Sequence, residues 1–337
     1  MIWDSSMHTQ RATAQKTVLV YSRCDIIGDA ILKLPVIRAL RTAFPDHHIT
    51  WMAGEGSSVF ASSLKPLVED CLDEVVEHAG IGAQLTDLLS SRLPKIYFDT
   101  IIDTQQSVKT ALILRRIGHR SFVSAAARGW LSNGPLAPRS RGPQAVQHRI
   151  LGLIQRAVGR EVSLVHSLPI PARYHASASQ LLPEGPLYVG LAPGAGARKK
   201  CWPLDRFIAL AQAQIRLHRV PVFFIGPQEL DWVGTLRAAV PSALFPELMP
   251  VAREHAGPLL AIALAARLRL AVSNDSGIGH LLAAGECRLI RLFGPTDSRK
   301  FTSPTRPCVI LEARHYGGRE MQCIPYEAVA EALERSI

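Results

Sequence analysis

The sequence predicts an α/β protein of two doubly wound domains in succession, each a parallel sheet with helices on both faces. Three observations predict it. Short apolar runs rich in β-branched residues alternate with helix-period segments, the order that parallel sheets require. The alternation breaks in a proline-rich stretch near mid-chain and then starts again. The length of 337 residues suits two domains of ordinary size.

In chain order, residues 1–16 are polar, lack the apolar centre of a signal peptide, and read as a loose tail with Met7 as an alternative start. Thr17 to Ser22 (TVLVYS) is a buried strand. Asp29 to Phe44 is a helix with Ile31, Leu34, Ile37 and Leu40 on its apolar face. A strand at His48 to Ala53, a short helix near Val59 and a strand at Asp73 to Val76 follow. A helix at Gln84 to Leu93 and a strand at Phe98 to Ile102 come next. Gly129 to Pro143 is a long loop rich in Gly, Pro and Ser. The join falls within Ser167 to Pro186, which gives domains of 17–175 and 176–337. In the second domain, strands are expected at Leu187 to Ala192, Pro221 to Ile225, Arg269 to Ser273 and Arg288 to Phe293. Helices are expected at Leu204 to Leu217, Glu229 to Val240, Leu259 to Ala266 and Ile278 to Ala284. A last helix, Tyr326 to Arg335, is expected to return to the first domain. Two such domains suggest a ligand cleft between the carboxyl ends of two facing sheets.

Composition narrows the function. No apolar run reaches the roughly 18 residues of a membrane span. The longest candidate, Leu259 to Val272, is broken by Arg267 and Arg269. A cytoplasmic protein is expected. The six cysteines show no CxxC spacing, so neither a zinc ribbon nor a dithiol redox site is suggested. The net charge is +10, and its placement is informative. Between Thr104 and Arg160 there are ten basic residues and no acidic one: Lys109, Arg115, Arg116, Arg120, Arg128, Arg139, Arg141, Arg149, Arg156 and Arg160. Such a window suggests an anionic partner.

Three loops that follow predicted strands carry the chemistry. The first is SRCDIIGD, Ser22 to Asp29, where Asp29 opens a helix. A carboxylate there either complements the helix dipole or acts as a general base. The second is PGAGARKKCWP, Pro193 to Pro203. Its glycines allow backbone N–H groups to approach an anion, and lysines supply charge, although it is neither a P-loop nor GxGxxG. The third is NDSGIGH, Asn274 to His280, read either as a helix N-cap or as an anion site at a helix N-terminus. His280 alone is equally a cap, a packed ring or a site residue. No Asp-x-Asp pair, HExxH or Ser/His/Asp signature occurs.

Together these loops resemble glycosyltransferase family 9, the lipopolysaccharide heptosyltransferases. The matching stretches are VLVYSRCDIIGDAILKLP, GLAPGAGARKKCWPLDRFIALA and NDSGIGHLLAAGECRLIRLFGPTD, with IGPQELDW as a weaker fourth. Their order agrees from about Thr17 to Leu333. The resemblance implies a GT-B fold with the acceptor on the first domain and a nucleotide sugar on the second. It implies an inverting transfer that needs no metal and no cofactor. Asp29 and Lys200 would be catalytic. Gly194, Ala195, Lys199, Glu229, Asp275, Ser276, Gly277 and His280 would line the donor site. Arg23, Asp25, Arg120, Arg139 and Arg141 would meet the acceptor. Lys199 and Lys200 compete for the phosphate. Residues 241–258 depart from the family pattern, and nucleotide selectivity is expected to be decided there. The leading expectation is heptose transfer from ADP-heptose to a lipopolysaccharide core or related anionic glycolipid, with peripheral contact at the cytoplasmic face of the inner membrane. A transferase or epimerase for another nucleotide sugar stays open. A nucleic-acid-binding module is disfavoured, because no recognition motif for one is present.

Overall fold

The computed structural model describes residues 15–82, 87, 96–133, 145–298 and 308–337. The expected tail at 1–14 and most of the expected helix at 84–93 lie outside these residues.

The alternating pattern forms two parallel sheets, one in each of two units, Met1–Leu168 and Pro169–Ile337. The first sheet contains β1 (Thr17–Ser22), β2 (His48–Ala53), β3 (Glu74–Val76), β4 (Phe98–Asp103) and β5 (His119–Ser124), in the order β3-β2-β1-β4-β5. Every pairing is parallel. Its helices include α1 (Ile27–Ala43), α2 (Val108–Leu114) and α3 (Val146–Val158). In the second unit α4 (Ala172–Leu181) precedes β6 (Tyr188–Ala192). Then come α5 (Leu204–Arg216), β7 (Val220–Phe223), α6 (Val233–Ala239), α7 (Pro258–Ala265) and β8 (Leu270–Asn274). The chain continues through α8 (Gly277–Ala284), β9 (Leu289–Phe293), β10 (Cys308–Glu312) and α9 (Tyr326–Ser336). The second order is β10-β9-β8-β6-β7, again all parallel.

Strand order reverses direction between β1 and β4 in the first sheet and between β6 and β8 in the second. These are the positions where doubly wound sheets open a crevice at their carboxyl edges. β6, β8 and β9 are buried throughout because helices cover both faces. The two catalytic expectations, Asp29 and Lys200, follow β1 and β6, so each sits beside a crossing point.

The division between the units falls earlier than the sequence reading put it. A division at 175/176 would cut α4, which packs on α7 and belongs to the second unit. Within the second unit α9 packs on α5, β8 and β9, and its Val329 and Leu333 belong to that unit's core.

Candidate active site

The second unit brings the second and third loops together. Asn274, the last residue of β8, is fully buried and holds both. Its Nδ2 donates to the Pro193 carbonyl at 2.6 Å, and its Oδ1 accepts from the Trp202 N–H at 3.1 Å. The Trp202 indole donates to the Ile324 carbonyl at 2.9 Å, anchoring the KCWP turn in the core. The turn Arg198–Lys200 then carries its lysines apart. Lys199 is exposed, and among the described residues it has no side-chain partner. Lys200 points to the third loop, where Nζ donates to Asp275 Oδ2 at 3.0 Å. Of the two lysines, Lys200 is the one that shares a site with Asp275.

Asp275 is buried and gathers cations and donors. Thr296 Oγ1 donates to Oδ2 at 2.7 Å, and Arg291 Nη2 lies 3.5 Å from Oδ1. Burial alone would push this carboxyl up. The bonds from Thr296 and Lys200, with the charges of Lys200 and Arg291, outweigh it and hold the pKa below the usual carboxylate value. Arg291 also approaches His280 Nε2, at 3.5 Å. Burial first, and the Arg291 charge second, depress His280 to about 3, so the imidazole is neutral. His280 therefore serves as a hydrogen-bonding group and not as a cation.

Ser276 is the N-cap of α8, its Oγ accepting from Gly279 N–H at 3.3 Å. The cap uses one N–H of the first turn. Among the described residues the N–H groups of Gly277 and Ile278 have no protein acceptor. A side chain caps the helix, as the N-cap reading expects, and two backbone donors of the first turn, next to Asp275, are left over.

Glu229 is buried beneath the glycine turn. A Cβ on Gly194 would come within 2.5 Å of the Glu229 carboxyl carbon, and one on Gly226 within 2.6 Å of Oε2. The absence of a side chain at Gly194 therefore makes room for Glu229 from below, a reason the sequence did not suggest. Burial raises the Glu229 pKa, against the pull of Arg198 and of the Ala195 and Gly226 amides. Arg198 ties the turn to the segment of Glu229 through Asp231 at 3.0 Å, and its guanidinium lies 4.1 Å from the Trp232 ring centroid.

In the first unit, Asp29 is exposed in the first turn of α1, and among the described residues its carboxylate has no partner. Arg23 is exposed and pairs with Glu55 at 2.7 Å. Asp25 corrects the sequence reading. It is 1% exposed and fully engaged. Oδ1 accepts from Lys33 Nζ at 2.5 Å and Ser22 Oγ at 2.8 Å; Oδ2 accepts from Trp51 Nε1 and Ser58 Oγ, both at 2.8 Å. No oxygen is left to meet an acceptor, and Asp25 is a structural anchor of the loop that bears Asp29.

Arg120 is a second correction. It lies one residue into β5, level with Asp99 and Thr17 at the amino edge of the sheet. Asp29 follows the carboxyl end of β1, where Tyr21, Asp103 and Ser124 align. Four residues of strand, about 13 Å, separate those levels. Arg139 and Arg141 lie outside the described residues.

The structure adds residues that sequence reasoning passed over. Arg291 was signalled by a charge inside the buried run LIRLF, and Thr296 lay within the quoted FGPTD. Asp103 ends β4 beside the crossing point of the first sheet. It is fully buried, accepts from Ser124 Oγ at 2.8 Å and Gln105 N–H at 2.9 Å, and is raised by burial to about 6. Arg149 on α3 is the cation whose charge opposes that rise.

The family model for glycosyltransferase family 9 (heptosyltransferase) matches residues 89–324. Lipopolysaccharide heptosyltransferase 2 of Salmonella typhimurium is 26% identical over 298 residues, 82% of each chain. A solved glycosyltransferase family 9 structure from Veillonella parvula superposes with a TM-score of 0.69 at 19% identity, covering 95% of this chain and 97% of that one. An E. coli heptosyltransferase solved with ADP-2-deoxy-2-fluoro heptose gives 0.64 at 18% identity, covering 95% and 100%. With the two parallel α/β units and the match over well beyond half its length, the chain belongs to glycosyltransferase family 9, the heptosyltransferase family, and is a glycosyltransferase of the GT-B fold class.

Proposed function

We propose that this enzyme moves heptose from ADP-heptose to a lipopolysaccharide core or a related anionic glycolipid, with inversion and without a metal. The observation that carries the reading is the pairing of Lys200 with Asp275 beside the open amides of Gly277 and Ile278. One ammonium and two backbone donors at a sheet crossing point match a diphosphate. The E. coli neighbour was solved with an ADP-heptose analogue, and the Salmonella relative is a lipopolysaccharide heptosyltransferase; both point the same way.

In this reading the second unit binds the donor and the first binds the acceptor. The acceptor hydroxyl attacks the anomeric carbon from the face opposite the diphosphate. As the new C–O bond forms, its proton passes to the Asp29 carboxylate. The bond to the diphosphate breaks, and its electron pair goes to a phosphate oxygen that Lys200 and the α8 amides stabilise. Asp275 holds Lys200 in place, neutral His280 donates or accepts a hydrogen bond, and Glu229 supports the turn of Gly194 and Ala195. Lys199 lies at the rim.

The basic window faces an anionic acceptor or lipid surface on the cytoplasmic face of the inner membrane. Arg115, Arg116, Arg128 and Arg160 are exposed, and Trp130 is 75% exposed beside them in sequence. Among the described residues no helix is long and apolar enough to cross a membrane. Incubation with ADP-heptose and core-truncated acceptors, followed by mass spectrometry, tests the reaction: a product heavier by one heptose is expected, and its absence with every acceptor overturns the reading. Binding to anionic vesicles that weakens with salt tests the surface, because exposed charges are screened over about 8 Å at physiological ionic strength.

A further inference from the structure

We propose that Arg291 is a positioning residue: its guanidinium occupies Nε2 of His280, which puts the ring proton on Nδ1 and makes His280 a hydrogen-bond donor towards the nucleotide sugar. The role towards the sugar rests on the donor reading above and deepens it.

Arg291 stands in the middle of β9, level with Ser273 of β8. Side chains alternate along a strand. Leu289, two residues earlier, shares a core cluster with Leu264 of α7 and Leu282 of α8, whereas Ile290 and Leu292 belong to the cluster that holds residues of α5 and α9. Arg291 therefore lies on the α8 face of the sheet, with its side chain 3% exposed. The first turn of α8 comes close to that face: a Cβ on Gly279 would lie 2.7 Å from Ser273 Oγ and 3.2 Å from the Asn274 carbonyl oxygen. The close approach seats the buried His280 beside the guanidinium. One nitrogen, Arg291 Nη2, lies 3.5 Å from His280 Nε2 and 3.5 Å from Asp275 Oδ1. It carries two N–H groups, one for each neighbour. A cation buried this deeply is costly unless paired, and Asp275 supplies the pair.

A guanidinium donates and never accepts. His280 Nε2 must then be the acceptor and carries no proton. A neutral imidazole holds one proton, which is left to Nδ1. The other tautomer would set N–H against N–H, and an imidazolium would set cation against cation. The charges around the ring agree. Burial and then Arg291 lower the His280 pKa to about 3; Lys200 acts in the same direction and Asp275 against it. The helix packed on α8, α7, brings no titratable side chain. Among the described residues Nδ1 has no hydrogen-bond partner. It belongs to the turn whose Gly277 and Ile278 amides are open among the described residues. Nδ1–H thus offers a proton to a hydroxyl or phosphate oxygen without adding a charge.

The test is imidazole nitrogen NMR of the 15N-labelled full chain at pH 6 and pH 8, with His280 identified by the signals that vanish in His280→Gln. Protonated and bare ring nitrogens resonate far apart, so tautomer and charge are read together. The wild type is expected to show a bare Nε2 and a protonated Nδ1, unshifted between the two pH values. Arg291→Met keeps an apolar side chain and removes the donors, so part of the proton population is expected to move to Nε2 and the two nitrogen signals to shift towards each other. A wild-type ring protonated at Nε2, or at both nitrogens, overturns the inference and needs no variant. A folded Arg291→Met protein whose His280 keeps the wild-type shifts overturns it too. Saturating ADP-heptose is expected to shift the Nδ1–H signal; a liganded protein in which that signal does not move overturns the role towards the sugar. A protein in which no signal moves with ADP-heptose overturns the donor reading and leaves the tautomer standing.

Discussion

Replacing Lys200 by alanine separates ligand binding from stability. Among the described residues Lys200 Nζ has one partner, Asp275 at 3.0 Å, and its side chain is 27% exposed. Asp275 keeps Thr296 at 2.7 Å and Arg291 at 3.5 Å when Lys200 is gone. The carboxylate therefore stays paired, and the loss to the fold is that of a partly exposed hydrogen bond, about 0.5–1.5 kcal/mol. For the ligand the arithmetic differs. A diphosphate loses a charge-assisted contact worth about 1.5–3 kcal/mol, or roughly ten- to a hundredfold in Kd. Charge on the leaving phosphate grows in the transition state, so kcat is expected to fall further. Lys199→Ala is the control: Lys199 is exposed, and among the described residues it has no side-chain partner. Titration calorimetry with ADP, beside thermal unfolding of both variants, gives the comparison. Unchanged ADP affinity in Lys200→Ala, with weakened affinity in Lys199→Ala, would refute the assignment.

Asp29→Asn is expected to lower kcat by about 10²–10⁴-fold and leave ADP affinity nearly unchanged; turnover within a few-fold of the wild type, with the protein folded, would make Asp29 a dipole-complementing residue worth about 1 kcal/mol. Lys33→Met leaves the buried Asp25 carboxylate without its cation at 2.5 Å and is expected to destabilise the first unit by about 3–5 kcal/mol, with much of that recovered in Asp25→Asn/Lys33→Met; denaturant unfolding of the wild type and the two variants decides it. His280 is held neutral, with its folded pKa lowered to about 3, so the unfolded chain takes up a proton first. Stability of the second unit is therefore expected to fall as pH drops from about 6.5 towards 3, by up to about 1.4 kcal/mol per pH unit, and His280→Gln is expected to flatten that slope. Asp103 has the opposite sign: its folded pKa is raised to about 6, the native state holds the proton longer, and Asp103→Asn is expected to gain up to about 2–3 kcal/mol at pH 8 but nothing at pH 4. An equal effect at both pH values would show that packing, not ionisation, dominates there.

The sequence was most legible where both faces of a strand are covered. TVLVYS and HITWMA read as strands because interior parallel strands are nearly continuous apolar runs, and both were placed with their observed ends. β5 and β10 were not read as strands. Each is an edge strand, HRSFVS and CVILE, buried less continuously, so the run that betrays a central strand is broken. α3 carries Ile150, Leu153 and Ile154 on a buried face, but its basic residues drew attention to charge first. In the sites, residue type was legible and orientation was not. Asp25 and Asp29 stand four apart in one loop and helix start; only the fold shows one saturated and the other exposed. Lys199 and Lys200 are neighbours, and a single 3-10 turn sends one to solvent and the other to Asp275. Arg120 was misplaced because the strand that carries it was unseen, and with it the sheet edge on which it falls.

The polar break after β8 divides its tasks among three neighbouring residues. Asn274 spends both ends of its amide on the PGA turn and the KCWP turn, so it aligns two loops that are 72 residues or more apart in sequence. Ser276 spends its hydroxyl on the cap. Asp275, between them, is held through Oδ2 by Thr296 and Lys200 and through Oδ1 by Arg291. Each neighbour thus has a different task, and capping by a side chain leaves the first two amides of α8 open. A helix end with all four amides capped would have no use for Lys200. A helix end with none capped would be unstable in a buried position. The arrangement found keeps the helix and still leaves an ammonium and two N–H groups for the diphosphate proposed above. Its weak point is Asn274: aspartate there would keep an acceptor for Trp202 but turn a second carboxylate oxygen towards the Pro193 carbonyl. That repulsion would loosen the glycine turn from the third loop, and ADP affinity is the measurement in which such loosening would appear before any loss of the sheet.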